Sequence, residues 1–179
     1  MNYPYLSGVN YESVVDGPGV RTAIFLSGCN HNCPGCHNQE THDPTYGSQL
    51  NDAMIYTIAY LIDRRPYLSG ITLTGGDPLY NVEATLNFLK KLKEDLAERW
   101  DSLTVWLYTG YTWEQLMCRR AIDEHLQELL SMVHVVVDGP FLQSKADARL
   151  PFCGSSNQRL IDVQKSLQLS VPLLFNPFL

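Results

Sequence analysis

The chain has 179 residues, 45% of them hydrophobic and 18% charged, with a formal net charge of −6. That length and apolar content suit a single domain over residues 1–179 with one core. Nucleic acid is excluded as a partner, because an acidic chain lacks the basic surface that displaces counterions, and no run approaches the roughly 18 apolar residues of a membrane span.

The N-terminal stretch MNYPYLSGVNYES has neither the basic start nor the apolar core of a signal peptide, which predicts a cytoplasmic protein. In that reducing compartment five cysteines, three of them clustered, read as metal or redox chemistry and not as a disulfide framework. Residues 20–26 (VRTAIFL) are rich in strand formers and lead into the cluster Cys29, Cys33 and Cys36. Residues 51–64 place Met54, Ile55, Ile58, Leu61 and Ile62 at helical spacing, and Pro66 stops that helix. A short strand, ITLT at 71–74, precedes a second helix at 81–100 with Val82, Leu86, Leu89, Leu92 and Leu96 on one stripe. LTVWLY at 103–108 is a third strand, and Thr112 and Gln115 have capping-box spacing for a short helix. A further helix is expected at 121–130, a buried strand at 133–137, irregular chain at 141–158 and a last strand at 159–163.

This alternation predicts an α/β fold with helices packed outside a parallel sheet. The units are too few to close an eight-stranded barrel, so the expectation is a partial βα barrel of about five to six parallel strands. Sites in such folds gather where strands end, which puts the cysteine loop at the functional end.

Two metals fit the C-x3-C-x2-C spacing. A structural zinc site takes four ligands, and His31, His37 or His42 is available as the fourth. An iron–sulfur cubane favours thiolates, and three local cysteines leave one iron without a protein ligand. Cys118 and Cys153 have no partner spacing and read as packing or incidental thiols. Gly75-Gly76-Asp77-Pro78 directly follows a strand. By itself it reads as a turn with Asp77 as N-cap and Pro78 at the first helical position. Beside the cysteine loop, two adjacent glycines read as a shelf that a cofactor approaches closely.

C-x3-C-x2-C followed by Gly75-Gly76-Asp77-Pro78 resembles the radical S-adenosylmethionine superfamily. Residues 16–21 (DGPGVR) resemble the activases of glycyl-radical proteins. Residues 33–38 (CPGCHN), 107–111 (LYTGY), 137–141 (VDGPF) and 154–158 (GSSNQ) together resemble the activating proteins of anaerobic ribonucleoside-triphosphate reductase. The likeness runs over residues 16–163. Two positions depart from the pattern: Gly35 stands where many superfamily members carry an aromatic residue, and Cys153 where this group commonly has arginine.

The resemblance implies a 4Fe–4S cluster on Cys29, Cys33 and Cys36, with S-adenosylmethionine docked on the open iron. Gly75 and Gly76 would then face the methionine ammonium, Asp77 would fix the shelf, and Gly35, Cys36 and His37 would line the adenosine side. It also implies reductive cleavage of S-adenosylmethionine and hydrogen abstraction from a glycine of the glycyl-radical subunit of the reductase, with a flavodoxin-like electron donor. No side chain is needed as acid, base or nucleophile, since the cofactors carry the chemistry. Alternatives are an activase of another glycyl-radical enzyme, a small radical enzyme acting on a nucleobase precursor, and, from a different class, a zinc-stabilised interaction module.

Among other candidates, His134 is expected as a satisfied core histidine, His125 on a polar helix face, and His31 and His42 as loop residues. Trp106, Tyr108 and Tyr111 are expected to pack in the core. Asp16 and Arg21 are expected to touch an incoming glycine loop or simply to form a turn and an ion pair. The apolar tail SVPLLFNPFL is expected to pack along the barrel and cover core.

Overall fold

The computed structural model describes residues 2–178. In chain order come β1 (Tyr5–Ser13), β2 (Arg21–Leu26), β3 (Ser48–Gln49), α1 (Asp52–Asp63), β4 (Gly70–Gly75) and α2 (Val82–Leu96). β5 (Thr104–Tyr108), α3 (Trp113–Arg120), α4 (Glu124–Met132), β6 (Val135–Asp138), β7 (Arg159–Asp162) and α5 (Val163–Leu169) follow.

The strands form one seven-stranded sheet in the order β3-β1-β2-β4-β5-β6-β7. β2, β4, β5 and β6 run parallel, while β1, β3 and β7 are antiparallel to their neighbours. The sheet is open, with β3 and β7 as its edges. The expected run of five to six parallel strands is therefore corrected to four. The strand expected at the end of the chain exists but runs the other way. A parallel return needs a crossover that carries the chain back along the sheet, and residues 139–158 hold no α-helix, only a short 3-10 turn at Gln143–Lys145, bends and turns, and an isolated Ala146–Ser155 bridge.

The helices form where polar caps meet apolar stripes. Asn51 accepts from the Met54 N–H to start α1, which buries Ile55, Ile58, Ala59 and Ile62. Asn81 caps α2 in the same way, through the Ala84 N–H. Leu86, Leu89 and Leu92 of α2 are at most 1% exposed, and each contributes about 1.5–3 kcal/mol of burial. Asp77 is not the cap of this helix: Pro78 to Tyr80 form a separate turn before it.

Alternation along the strands gives the sheet two different faces. Ile24, Leu26, Ile71, Leu73, Val105, Leu107, Val136 and Ile161 join the helices in the main core. Trp106, Val135, Val137 and Leu160 belong to a smaller cluster covered by Tyr108, Phe152, Cys153 and Phe175. Irregular chain and the tail, not helices, thus close that second face. Phe175 N donates to Leu160 O (2.8 Å), and its ring meets Trp106 edge-on at 5.4 Å. The tail therefore covers core along β7, as expected, although Leu174 and Phe178 stay exposed.

Arg21 is fully buried. Its guanidinium donates to Thr72 Oγ1, Thr104 Oγ1, Ile71 O and Thr104 O at 2.8–2.9 Å and stacks 5.2 Å from the Trp106 ring centroid. Burial pulls its pKa down to about 10, so it remains a cation at neutral pH. Among the described residues it makes no ion pair, and its burial keeps it off the surface, which corrects both sequence expectations for it. Among the described residues, no helix is long and apolar enough to cross a membrane.

Candidate functional site

β2 ends at Leu26, and the next residues are tied down on all sides. Ser27 N donates to Tyr5 O (2.9 Å) and Gly28 N to Thr41 O (2.8 Å), while Gly28 O accepts from Asp77 N (2.8 Å). Gly28 has φ +104°, and a Cβ there would overlap the Tyr80 ring, so only glycine fits. Beyond it Cys29 N donates to His42 O (3.3 Å), and a turn closes Cys36 N onto Cys33 O (3.1 Å).

Cys29, Cys33 and Cys36 are free thiols, each partly exposed. They line a cavity of about 250 Å³. Its other walls come from the ends of the other parallel strands and the residues just beyond them: Thr74 to Asp77 at the end of β4, Tyr108 to Gly110 at the end of β5, and Gly139 and Phe141 after β6. Gly154 and Gln158 complete it from the irregular segment. Burial pushes the Cys29 thiol up to about 11, against a hydrogen bond from the His31 backbone N–H that pulls it down.

The fit to a guest follows from this donor set. Three thiols on one glycine-bent loop face a wall in which glycine backbone leaves room, an arrangement suited to a thiolate-held iron–sulfur cluster with one open corner. Among the described residues, no three His, Cys, Asp or Glu side chains are grouped to hold a single ion.

Of the other sequence candidates, Gly75, Gly76, Asp77, Cys36 and His37 all line the cavity. Gly75 O accepts from Asn38 Nδ2 (3.2 Å). A Cβ on Gly76 would run into the carbonyls of Gly28 and Thr41, so the two loops touch there through backbone alone. His37 is exposed, with its ring 6.0 Å from that of Phe141. Gly35 has φ +74° and packs against the Gln143 side chain instead of lining the cavity.

Asp77 is 3% exposed, and its carboxylate is shared among three loops. Oδ1 accepts from Leu79 N (2.8 Å), and Oδ2 accepts from Thr109 Oγ1 (2.9 Å), Gly110 N (3.0 Å) and His31 Nε2 (2.7 Å). His31 is a loop residue as expected, whereas His42 ends a short 3-10 helix, Gln39–His42, and both line the cavity. His134 lies at the surface and not in the core, and its Nδ1 accepts from Val105 N (3.0 Å).

Four further lining residues, Asn38, Thr109, Phe141 and Gln158, were not singled out in the sequence, although each lies in a segment that carries the resemblance. Gln158 braces the site, accepting from Gly154 N (2.8 Å) and Ser155 N (3.2 Å) and donating to Gly139 O (3.0 Å). Tyr108 donates to Phe152 O (2.8 Å), and burial raises its hydroxyl far above the ordinary value, so it stays neutral.

Residues 15–161 match the family model described as a 4Fe-4S single cluster domain. Three relatives are each named "Anaerobic ribonucleoside-triphosphate reductase-activating protein". That of Vibrio cholerae is 39% identical over 148 residues, covering 81% of this chain and 89% of the relative. That of Escherichia coli K12 is 35% identical over 161 residues (88% and 96%), and that of Enterobacteria phage T4 is 34% identical over 159 residues (85% and 93%). The chain belongs to this family of reductase-activating proteins. As an activating-family member with a 4Fe-4S domain, it carries an iron–sulfur cofactor, and the thiol-lined cavity is the candidate place for it.

Proposed function

We propose that this protein is a radical S-adenosylmethionine activase that generates a glycyl radical on anaerobic ribonucleoside-triphosphate reductase. The observation that carries the reading is the cavity at the strand ends, with Cys29, Cys33 and Cys36 on one wall and Gly75-Gly76 on another. Held by Cys29, Cys33 and Cys36, a 4Fe–4S cluster would supply the single electron for reductive cleavage of S-adenosylmethionine, the chemistry that removes a hydrogen atom from the partner's glycine.

The chain's own residues hold and shield. The three cysteines would hold the cluster in the cavity that the glycine shelf also lines. The backbone of Gly75 and Gly76 would receive the methionine end of S-adenosylmethionine, with His37 and Phe141 on the adenosine side. Tyr108 and Phe141 limit water around a reactive intermediate. On this reading the chain is one radical S-adenosylmethionine domain, its open sheet is a partial βα barrel, and a flavodoxin-like protein in the cytoplasm is the electron donor. The acidic chain has no role on nucleic acid.

The test is anaerobic. Reconstituted protein should hold about four irons and four sulfides per chain. Mixed with reductant, S-adenosylmethionine and the reductase, it should give a glycyl doublet by electron paramagnetic resonance. Cys29→Ala, Cys33→Ala and Cys36→Ala should each abolish the doublet, whereas Cys118→Ala and Cys153→Ala should not. One zinc and no sulfide per chain would overturn the reading.

A further inference from the structure

We propose that His31 is a positioning residue of this site, pinning the arc between Cys29 and Cys33 to the ends of two other strands through Asp77. The inference rests on the cluster reading above. His31 sits midway in the arc, whose backbone bonds lie at its ends, at Cys29 and at Cys33–Cys36. Its Nε2 lies 2.7 Å from Asp77 Oδ2. A carboxylate with three other donors on it is an acceptor, so Nε2 carries the proton and donates.

Asp77 is itself immobilised by Leu79 N, Thr109 Oγ1 and Gly110 N. The His31 ring also meets Tyr111 edge-on at 4.6 Å. It lies so close over Gly110 that a Cβ there would overlap it. One imidazole therefore joins the loop after β2 to the turn after β4 and the loop after β5. The Asp77 carboxylate is consumed in this pin and is not left to bind the cofactor. His31 acts through the cysteines, fixing where two thiols stand relative to the glycine shelf. Groups that orient ligands in this way typically change metal affinity by about 10–100-fold when removed.

The experiment compares wild type, His31→Ala and His31→Gln, the last keeping a donor of similar reach. In the metal-free chains, hydrogen exchange of amides 29–36 should quicken in His31→Ala while the thermal midpoint of unfolding holds. In the reconstituted chains, loss of iron to a chelator should be about 10-fold faster or more in His31→Ala. The change in the cluster's paramagnetic spectrum on adding S-adenosylmethionine should also be altered, and His31→Gln should restore both. Exchange and iron retention equal to wild type in His31→Ala overturn the pin, as does failure of His31→Gln to restore them. A wild-type chain that takes up no cluster overturns the cluster reading instead, and the exchange measurement on metal-free protein still decides whether His31 holds the loop.

Discussion

Arg159 joins Asp138 and Glu114, two carboxylates in quite different surroundings. Asp138 is 1% exposed, accepts from Trp113 N (2.7 Å) and takes Arg159 Nη2 at 2.5 Å. Glu114 receives the same guanidinium at 2.9 and 3.1 Å but lies out in solvent. The guanidinium holds the Glu114 carboxyl down at about 2, from an ordinary 4.5. A depressed carboxyl contributes stability that is complete above its unfolded value and is lost as pH falls through its folded one. Glu114→Gln should therefore flatten the acid slope of stability between about pH 4.5 and 2, in urea titrations at stepped pH. Solvent screening keeps the effect to about 1 kcal/mol or less. Asp77 shows how a single residue can mislead in sequence. Asp-Pro is a sound local signal for a helix start, but the partners that claim the carboxylate are 32, 33 and 46 positions away. Nothing local announces them.

Among the elements, those with a strong period were legible and those made by pairing were not. α1 and α2 begin at the asparagines that precede their apolar stripes. The Thr112–Gln115 capping box is present, with Gln115 Oε1 accepting from Thr112 N at 2.9 Å. Thr112→Ala should lower stability by about 1 kcal/mol, read as a shift in the urea midpoint. It should also disturb the neighbouring Tyr111, on which the His31 and Arg119 side chains rest. β1 was not anticipated. Its YLSGVNYES mixes strand formers with Gly, Ser and Asn, and it becomes a strand by pairing with β2 on one side and β3 on the other, where context overrides propensity. The direction of β7 was equally hidden, because it depends on the path of residues 139–158 and not on the four residues of the strand. At the candidate site the cysteines and glycines stand out by spacing, whereas Thr109 and Gln158 lie in segments that carry the resemblance but whose place in the cavity depends on converging strand ends.

For the whole molecule the consequence is a division of labour between the two faces of one sheet. Helices cover one face with a continuous apolar core. The other face, around Trp106, is covered by residues 152–153 and the tail at Phe175. Ending the chain at Ser170 would uncover Trp106, which is 1% exposed in the full chain. Tryptophan emission should shift to the red in that variant, while far-ultraviolet dichroism keeps its helical signal. An unchanged emission maximum would mean that the tail does not protect this face.

Arg21 gives the sheet a common origin of measurement. It stands on β2 and holds two residues of β4 and one of β5, at the ends of the strands remote from the cavity. Each of those strands then runs four to five residues before releasing the cysteine loop, the glycine shelf or the Thr109 loop. An arginine fork fastened to three strands works like the zero mark of a ruler: it aligns where they begin and so how far each one reaches. Lysine would keep the charge but lose the fork, and three loops that meet within hydrogen-bonding distance would no longer be counted from the same line.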